Sequence, residues 1–373
     1  MRKTVTPPAE DPAYLSGQLI TYLGNKRALL GPIGEQILRV RERLGGRKLA
    51  CADLFAGSGA VSRLLKGHST LLLSNDLEGY SALIAACYLT NREDFPREEC
   101  EALLQRLRAR LEEPLAEGII AQNYAPRDDG HIRPGERVFY TRDNALRIDT
   151  LRAEIDTFSK EIQPFFLAPL LAEASVHNNT GGVFKGFYKD SRTGLGKFGG
   201  NGGNALSRIL GPIEPRLPVL SRFSCETRVL RRDAAGLPGV LPRLDLAYLD
   251  PPYNQHPYGS NYFMLNLIAE NRLPDKLSPV SGIPADWNRS DYNKQARALD
   301  ALGTLAAGLD ARFLLISYNS EGFIPLDKME GLLSSLGRVE RRDIRYNAYR
   351  ASRNLAGRET YVSEYLFLVD KTG

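Results

Sequence analysis

Short apolar runs alternate with longer segments of helical spacing along most of this chain, the pattern of a sheet assembled from strand and helix units. Strands are expected over Lys48–Phe55, Leu71–Leu73, Glu226–Leu230, Leu244–Leu249, Arg312–Ser317, Arg338–Tyr346 and Tyr361–Val369. Helical spacing runs through Leu29, Ile33, Ile37 and Leu38, resumes from about Val61, and returns over Glu98–Leu111, Ala145–Phe158, Phe165–Val176, Asn293–Leu309 and Leu326–Leu336. The last two strands read as a hairpin-like pair. The pattern therefore predicts an α/β fold, a mostly parallel sheet with an antiparallel edge strand.

The pattern changes between about Arg92 and Phe223, where helices with charged faces interrupt the strand and helix alternation. A chain of 373 residues exceeds what a single core usually holds. The expected organisation is a leader over 1–15, a sheet domain over 16–91 and 224–373, and an inserted, mainly helical domain over 92–223. Inside the insertion, Asn178–Arg208 is rich in glycine yet carries Lys185, Lys189, Arg192 and Lys197 among Phe184, Phe187, Tyr188 and Phe198. Such composition suits either a solvated loop or a mobile arm that grips a nucleic-acid backbone.

Composition narrows the class only a little. A hydrophobic fraction of 43% with 25% charged residues is ordinary for a globular protein, and no apolar run approaches the roughly 20 residues of a membrane span. The N-terminus has no apolar signal region, so a cytoplasmic protein is expected. A net charge of +5 permits a polyanionic partner without demanding one. Cys51, Cys87, Cys100 and Cys225 are scattered without metal-ligand spacing, and no metal site is expected.

Chemistry concentrates at strand ends. The apolar run Leu244–Leu249 delivers Asp250-Pro251-Pro252-Tyr253, where two prolines forbid further sheet pairing and hold free carbonyls beside a carboxylate and an aromatic ring. A strand-terminating turn would explain the prolines alone; the set of four suits an amino group on a flat ring. Earlier, Asp53-Leu54-Phe55-Ala56-Gly57-Ser58-Gly59 turns from the first strand into a helix, letting a ligand approach the backbone. Neither a third glycine nor a following Lys-Ser/Thr pair is present, so dinucleotide and nucleoside triphosphate sites are disfavoured. Asp76 ends the second strand about 20 residues later, where an acid can accept both ribose hydroxyls. Together these predict a nucleoside site without phosphate machinery.

In this order the motifs resemble those of the alpha-group adenine-specific (N6) DNA methyltransferases, which include the bacterial DNA adenine methylases. Tyr22, Gly24 and Lys26 match that family's first motif, Phe55, Gly57 and Gly59 its second, and Asp250 to Tyr253 its DPPY motif, with the insertion between them. The resemblance implies a Rossmann-like S-adenosylmethionine-dependent methyltransferase fold whose 92–223 insertion recognises the target. It implies methyl transfer from S-adenosyl-L-methionine to the exocyclic amine of a flipped adenine, with Asp250, Pro251, Pro252 and Tyr253 catalytic. It further implies a cofactor site of Tyr22, Lys26, Asp53, Phe55, Ala56, Gly57, Gly59, Asp76, Asp233 and Asp250, in which Lys26 lies near the methionine carboxylate. Tyr262 or Tyr318 is expected as a second aromatic wall for the base. The implied partner is double-stranded DNA, held by Lys185, Lys189, Arg192, Lys197, Arg350 and Arg353 in a bacterial or phage-like, nucleoid-associated setting. A cognate restriction endonuclease acting separately is compatible with it. Rival readings are a cytosine-N4 or RNA methyltransferase of the same fold, or a catalytically silent DNA-binding module. Asp rather than Ser at 250 argues for adenine.

Overall fold

The apolar run before the two prolines folds as expected: β4 spans Leu244–Leu249, between β1 (Leu49–Asp53) and β5 (Ala311–Asn319). The computed structural model describes residues 10–200, 203–347 and 361–372. With β2 (Ser69–Asp76), β3 (Glu226–Arg231), β6 (Arg338–Asn347) and β7 (Tyr361–Asp370) they make one seven-stranded sheet in the order β3-β2-β1-β4-β5-β7-β6. β1 to β5 pair in parallel, whereas β7 runs antiparallel to both β5 and the edge strand β6. The opposed strand is thus one in from the edge. Strand order reverses between β1 and β4, and ligands of open α/β sheets bind at the carboxyl ends of the strands beside such a reversal.

Successive side chains of β4 serve opposite faces. Leu246 and Tyr248 pack with Ile33, Ile37 and Val40 of the helix Leu30–Arg43. Ala247 and Leu249 pack with Leu302 and Leu305 of the helix Gln295–Gly308 and with Met329 and Leu333 of the helix Leu326–Ser334. Leu38, expected on the buried stripe, is 46% exposed; the stripe instead runs through Ile33, Gln36, Ile37 and Val40. The reason is the period: position 38 falls off the face that 33, 37 and 40 share.

The helices Gly79–Tyr88 and Pro164–Val176 carry no amphipathic signature because both of their sides are covered. Gly79–Tyr88 puts Ala85 on the sheet core, while its Tyr80, Ile84 and Cys87 join a third cluster with Phe263, Leu265 and Leu267 of the helix Phe263–Glu270. The helices Arg97–Leu111, Arg142–Ile155 and Pro164–Val176 complete that cluster, so the inserted segment shares one apolar core with helices flanking the sheet. Among the described residues, no helix is long and apolar enough to cross a membrane.

The glycine-rich stretch is anchored more firmly than its composition suggests. Asn179 Nδ2 donates to the carbonyls of Val138 and Lys197, Asn178, Asn179 and Thr180 are buried, and Phe184 is only 2% exposed in the third cluster. Buried side-chain amides replace the regular backbone pairing that so many glycines forgo. The base of this arm is therefore a built element, not a free loop.

Candidate active site

A cleft lies at the carboxyl ends of β1, β2 and β4, where the chain leaves the sheet through a glycine turn, at Asp76, and through Asp250 and two prolines that lack a ladder N–H. At β1 the chain turns through Gly57 (φ +52°) and Gly59 (φ +75°), and Gly59 caps the helix Ala60–Lys66. A Cβ at 57 would stand 2.8 Å from the Tyr22 ring. That ring is fixed between Tyr258 (4.9 Å) and Tyr262 (4.7 Å), so only glycine fits beneath it.

Asp76 ends β2 with both oxygens engaged: Oδ2 accepts the Gly57 N–H at 2.7 Å and Oδ1 the Glu78 N–H at 2.9 Å. Each oxygen keeps a second lone pair for a ligand hydroxyl. Asn75, one residue earlier, donates to the carbonyls of Leu54 and Arg232 and so ties the ends of β1, β2 and β3 together. Burial pushes Asp53 up to about 7, with Ser62 opposing the rise through its hydrogen bond to Oδ2 and with Asp250 and Asp76 adding to it. Its Oδ1 lies beside the Phe55 amide without a regular hydrogen bond. Glu78 is likewise raised to about 7, by burial first and Asp76 second, and its Oε2 accepts from Asn266 and Asn288.

The cleft is open to solvent and spans about 850 Å³ with that open space included. Tyr22, Lys26, Asp53, Phe55, Ala56, Gly57, Asp76, Asp233 and Asp250 all line it, as do Pro252 and Tyr258. Among the described residues, five acids, Asp53, Asp76, Glu78, Asp233 and Asp250, face two cations, Lys26 and Arg232, which favours a cationic ligand. Gly59, Pro251 and Tyr253 are not on its wall. Gly59 serves as a helix cap; Tyr253 is half-buried and meets Tyr318 edge to face at 6.5 Å, and its carbonyl accepts the Phe323 N–H.

Lys26, expected beside a cofactor carboxylate, lines the cleft and is engaged there by two protein carboxylates. Its ammonium forms ion pairs with Asp250 Oδ2 at 2.9 Å and Glu364 Oε1 at 3.2 Å and donates to the Gly24 carbonyl at 3.2 Å. Burial works against the charge, yet Asp250 and Glu364 hold the Lys26 pKa well above its ordinary value. Asp250 is raised to about 6 by burial, partly countered by Lys26 and reinforced by Glu364.

Neither expected second wall is open to a base. Tyr262 is fully buried, stacked on Tyr22, and its hydroxyl accepts the Leu23 N–H; Tyr318 is 2% exposed and its hydroxyl accepts the Ile324 N–H. Lys185, Lys189, Arg192 and Lys197 are all exposed, and Lys185 Nζ lies 3.3 Å from His256, six residues beyond Asp250. Arg350 and Arg353 lie outside the described residues. Sequence reasoning missed Glu364, Asn75, Glu78, Asn288 and Tyr258, since a lone acid or amide carries no signature without its neighbours in space.

The D12 class N6 adenine-specific DNA methyltransferase model matches residues 22–197, starting at the tyrosine over the glycine turn. The chain is 28% identical over 368 residues to the Type II methyltransferase M.NlaIII of Neisseria lactamica, covering 95% of this chain and 100% of that one. It is 29% identical to the Type II methyltransferase M.CviAII of Paramecium bursaria Chlorella virus 1, over 94% of this chain and 98% of the relative. Modification methylase LlaI of Lactococcus lactis subsp. lactis is 30% identical over 83% of this chain, which spans 48% of that longer protein. Sheet order, motif order and these likenesses agree: residues 22–197 match the D12 class N6 adenine-specific DNA methyltransferases, and nearly the whole chain is similar to Type II methyltransferases.

Proposed function

We propose that the chain transfers a methyl group from S-adenosyl-L-methionine to the N6 amine of an adenine swung out of duplex DNA. One observation carries this: a nucleoside-sized, acid-lined cleft opens on Asp250, whose Oδ2 is held by Lys26 while Oδ1 makes no hydrogen bond among the described residues. The residues present fit the cofactor. The Asp53 oxygen without a regular partner suits an ammonium group, Asp76 keeps lone pairs for ribose hydroxyls, and the floor at Gly57 leaves room where any Cβ would intrude. Tyr22, Phe55, Ala56 and Asp233 would complete the pocket. When bound, the cofactor supplies an electrophilic sulfonium methyl.

An adenine amine is a weak nucleophile because its lone pair is delocalised into the ring. Asp250 Oδ1 would accept one amine proton and the Pro251 carbonyl the other, biasing the nitrogen toward tetrahedral geometry with its lone pair localised and aimed at the methyl group. Asp250 cannot remove a proton from the neutral amine beforehand, but it can take one as positive charge develops on nitrogen. Tyr253 would stack on the base, a contact of about 1–3 kcal/mol, comparable to the few kcal/mol that extrusion costs. The 92–223 segment would recognise the target, with the exposed cations of its arm on phosphates. The names of the relatives favour a modification role, in which a cognate endonuclease acts separately.

Methylating duplex oligonucleotides with labelled cofactor and identifying the modified base tests the proposal. N6-methyladenine is expected; N4-methylcytosine, or label appearing only in RNA, would overturn it. Two further outcomes follow from the site. Only ionised Asp250 can take up the amine proton as the new bond forms, so with cofactor saturating, kcat/KM for DNA is expected to fall about tenfold per pH unit below about pH 6. In a salt series, replacing Lys189 or Arg192 by Ala should reduce the slope of log K against log salt by about 0.9 each, if each contacts one phosphate. An unchanged slope removes that residue from the DNA-binding surface.

A further inference from the structure

We propose that Glu364 is a positioning residue for this transfer: it clamps Lys26 onto one oxygen of Asp250 and so reserves the other for the amine of the target base. This rests on the assigned role of Asp250, and adds a group from the far end of the chain that none of the recognised motifs contains.

The topology explains how it gets there. β7 runs against its neighbours, so its first residues lie beside the last residues of β5, with Glu364 paired to Asn319 at the ligand edge of the sheet. A parallel strand at that place would present its carboxyl end instead. Glu364 is 1% exposed and gripped on both oxygens: Ser317 Oγ donates to Oε1 and Asn319 Nδ2 donates to Oε2 at 3.2 Å. An acid buried this deeply needs a charge partner, and Lys26 supplies it at 3.2 Å.

The consequences for Asp250 are geometric and electrostatic. The Lys26 ammonium is drawn to Asp250 Oδ2 and Glu364 Oε1 as ion pairs and donates to the Gly24 carbonyl, so it is held from three sides with Asp250 Oδ2 its nearest oxygen on that carboxylate. With Glu364 removed, the ammonium would lose one of these partners and would be free to straddle both Asp250 oxygens. That would occupy the acceptor the base needs. Glu364 also contributes negative charge that offsets Lys26, keeping Asp250 basic enough to take a proton at the transition state. Among the described residues, the other titratable groups facing the cluster are Tyr248, Tyr253, Tyr258, Asp53 and Glu321, none of them a cation.

Glu364→Gln keeps the volume and removes the charge. The expected result is a kcat about tenfold lower, an acid limb of the kcat/KM profile displaced about one pH unit downward, and a cofactor Kd within about threefold of wild type. An acid limb at the wild-type position would overturn the proposal whatever happens to kcat, because a merely structural loss would scale the profile without moving it. If Glu364→Gln does not fold, Ser317→Ala removes one grip on Oε1 and leaves the charge; a several-fold loss of kcat at unchanged cofactor Kd is expected, and wild-type kcat would overturn the proposal. Asp250→Asn run alongside separates the two levels. Full activity there overturns the role of Asp250 itself, whereas an inactive Asp250→Asn with an unshifted Glu364→Gln overturns only the clamp.

Discussion

Asp250→Asn is expected to lower kcat by about 10³-fold or more while cofactor Kd changes by no more than about threefold. The substitution keeps the size of the side chain and the prolines that hold it. What it removes is the charge, and it also exchanges one acceptor for an amide N–H that points donor to donor at an amine. Folding should survive, because Lys26 retains Glu364 and the Gly24 carbonyl and is not left as an unpaired buried cation. Asp250→Ala, which also empties the space beside Lys26, should abolish turnover and weaken cofactor binding only in part. Single-turnover kinetics at saturating cofactor, with Kd from calorimetry, distinguishes the outcomes. Turnover within tenfold of wild type in Asp250→Asn would mean that another group accepts the proton, and the pH limb near 6 would then belong elsewhere.

How much of this could be read from the chain depends on whether the signal is local. β4 was bounded to the residue by its apolar run and the prolines behind it, and Gly57, Asp76 and Asp250 fall together because each terminates a parallel strand at the same edge of one sheet. Once the strands are parallel, motifs far apart in sequence must meet there. Glu364 obeys a different rule. It begins a strand instead of ending one, and reaches the cleft only because β7 is reversed between β5 and β6, a pairing that no spacing along the chain encodes.

Lys26 shows the converse case. Its place in the cleft followed from the motif around Tyr22 and Gly24, but its partner did not, since the choice between a ligand carboxylate and two protein carboxylates is decided by burial. The Tyr262 expectation failed for a similar reason. Position alone suggested a ring near the base, whereas the stack Tyr258, Tyr22, Tyr262 uses both faces of Tyr22 to hold the glycine turn in place. The helix Gly79–Tyr88 was missed because an all-round apolar segment has no period to detect.

That stack makes Gly57→Val the second substitution of large expected effect. Two costs combine at this position. A β-branched residue at φ +52° is strained by about 1–2 kcal/mol, and its Cβ, 2.8 Å from the Tyr22 ring, adds overpacking of about 1–3 kcal/mol. Tyr22 cannot yield, because Tyr258 and Tyr262 close on its two faces at 4.9 and 4.7 Å and its hydroxyl accepts from Tyr80. The turn must move instead, breaking the Gly57 N–H bond to Asp76 and displacing the acid placed to receive the ribose. Cofactor Kd should therefore rise about 30-fold or more, accompanied by a fall in Tm. Gly45→Val is the control: Gly45 has φ +76° with nothing within 4 Å of a built Cβ, so it carries the strain without the collision. It should lose stability yet keep cofactor affinity within about twofold. Calorimetric titration of both variants decides the matter: equal losses of affinity would show that the cleft floor does not depend on the space beneath Tyr22, and the cofactor would have to lie elsewhere.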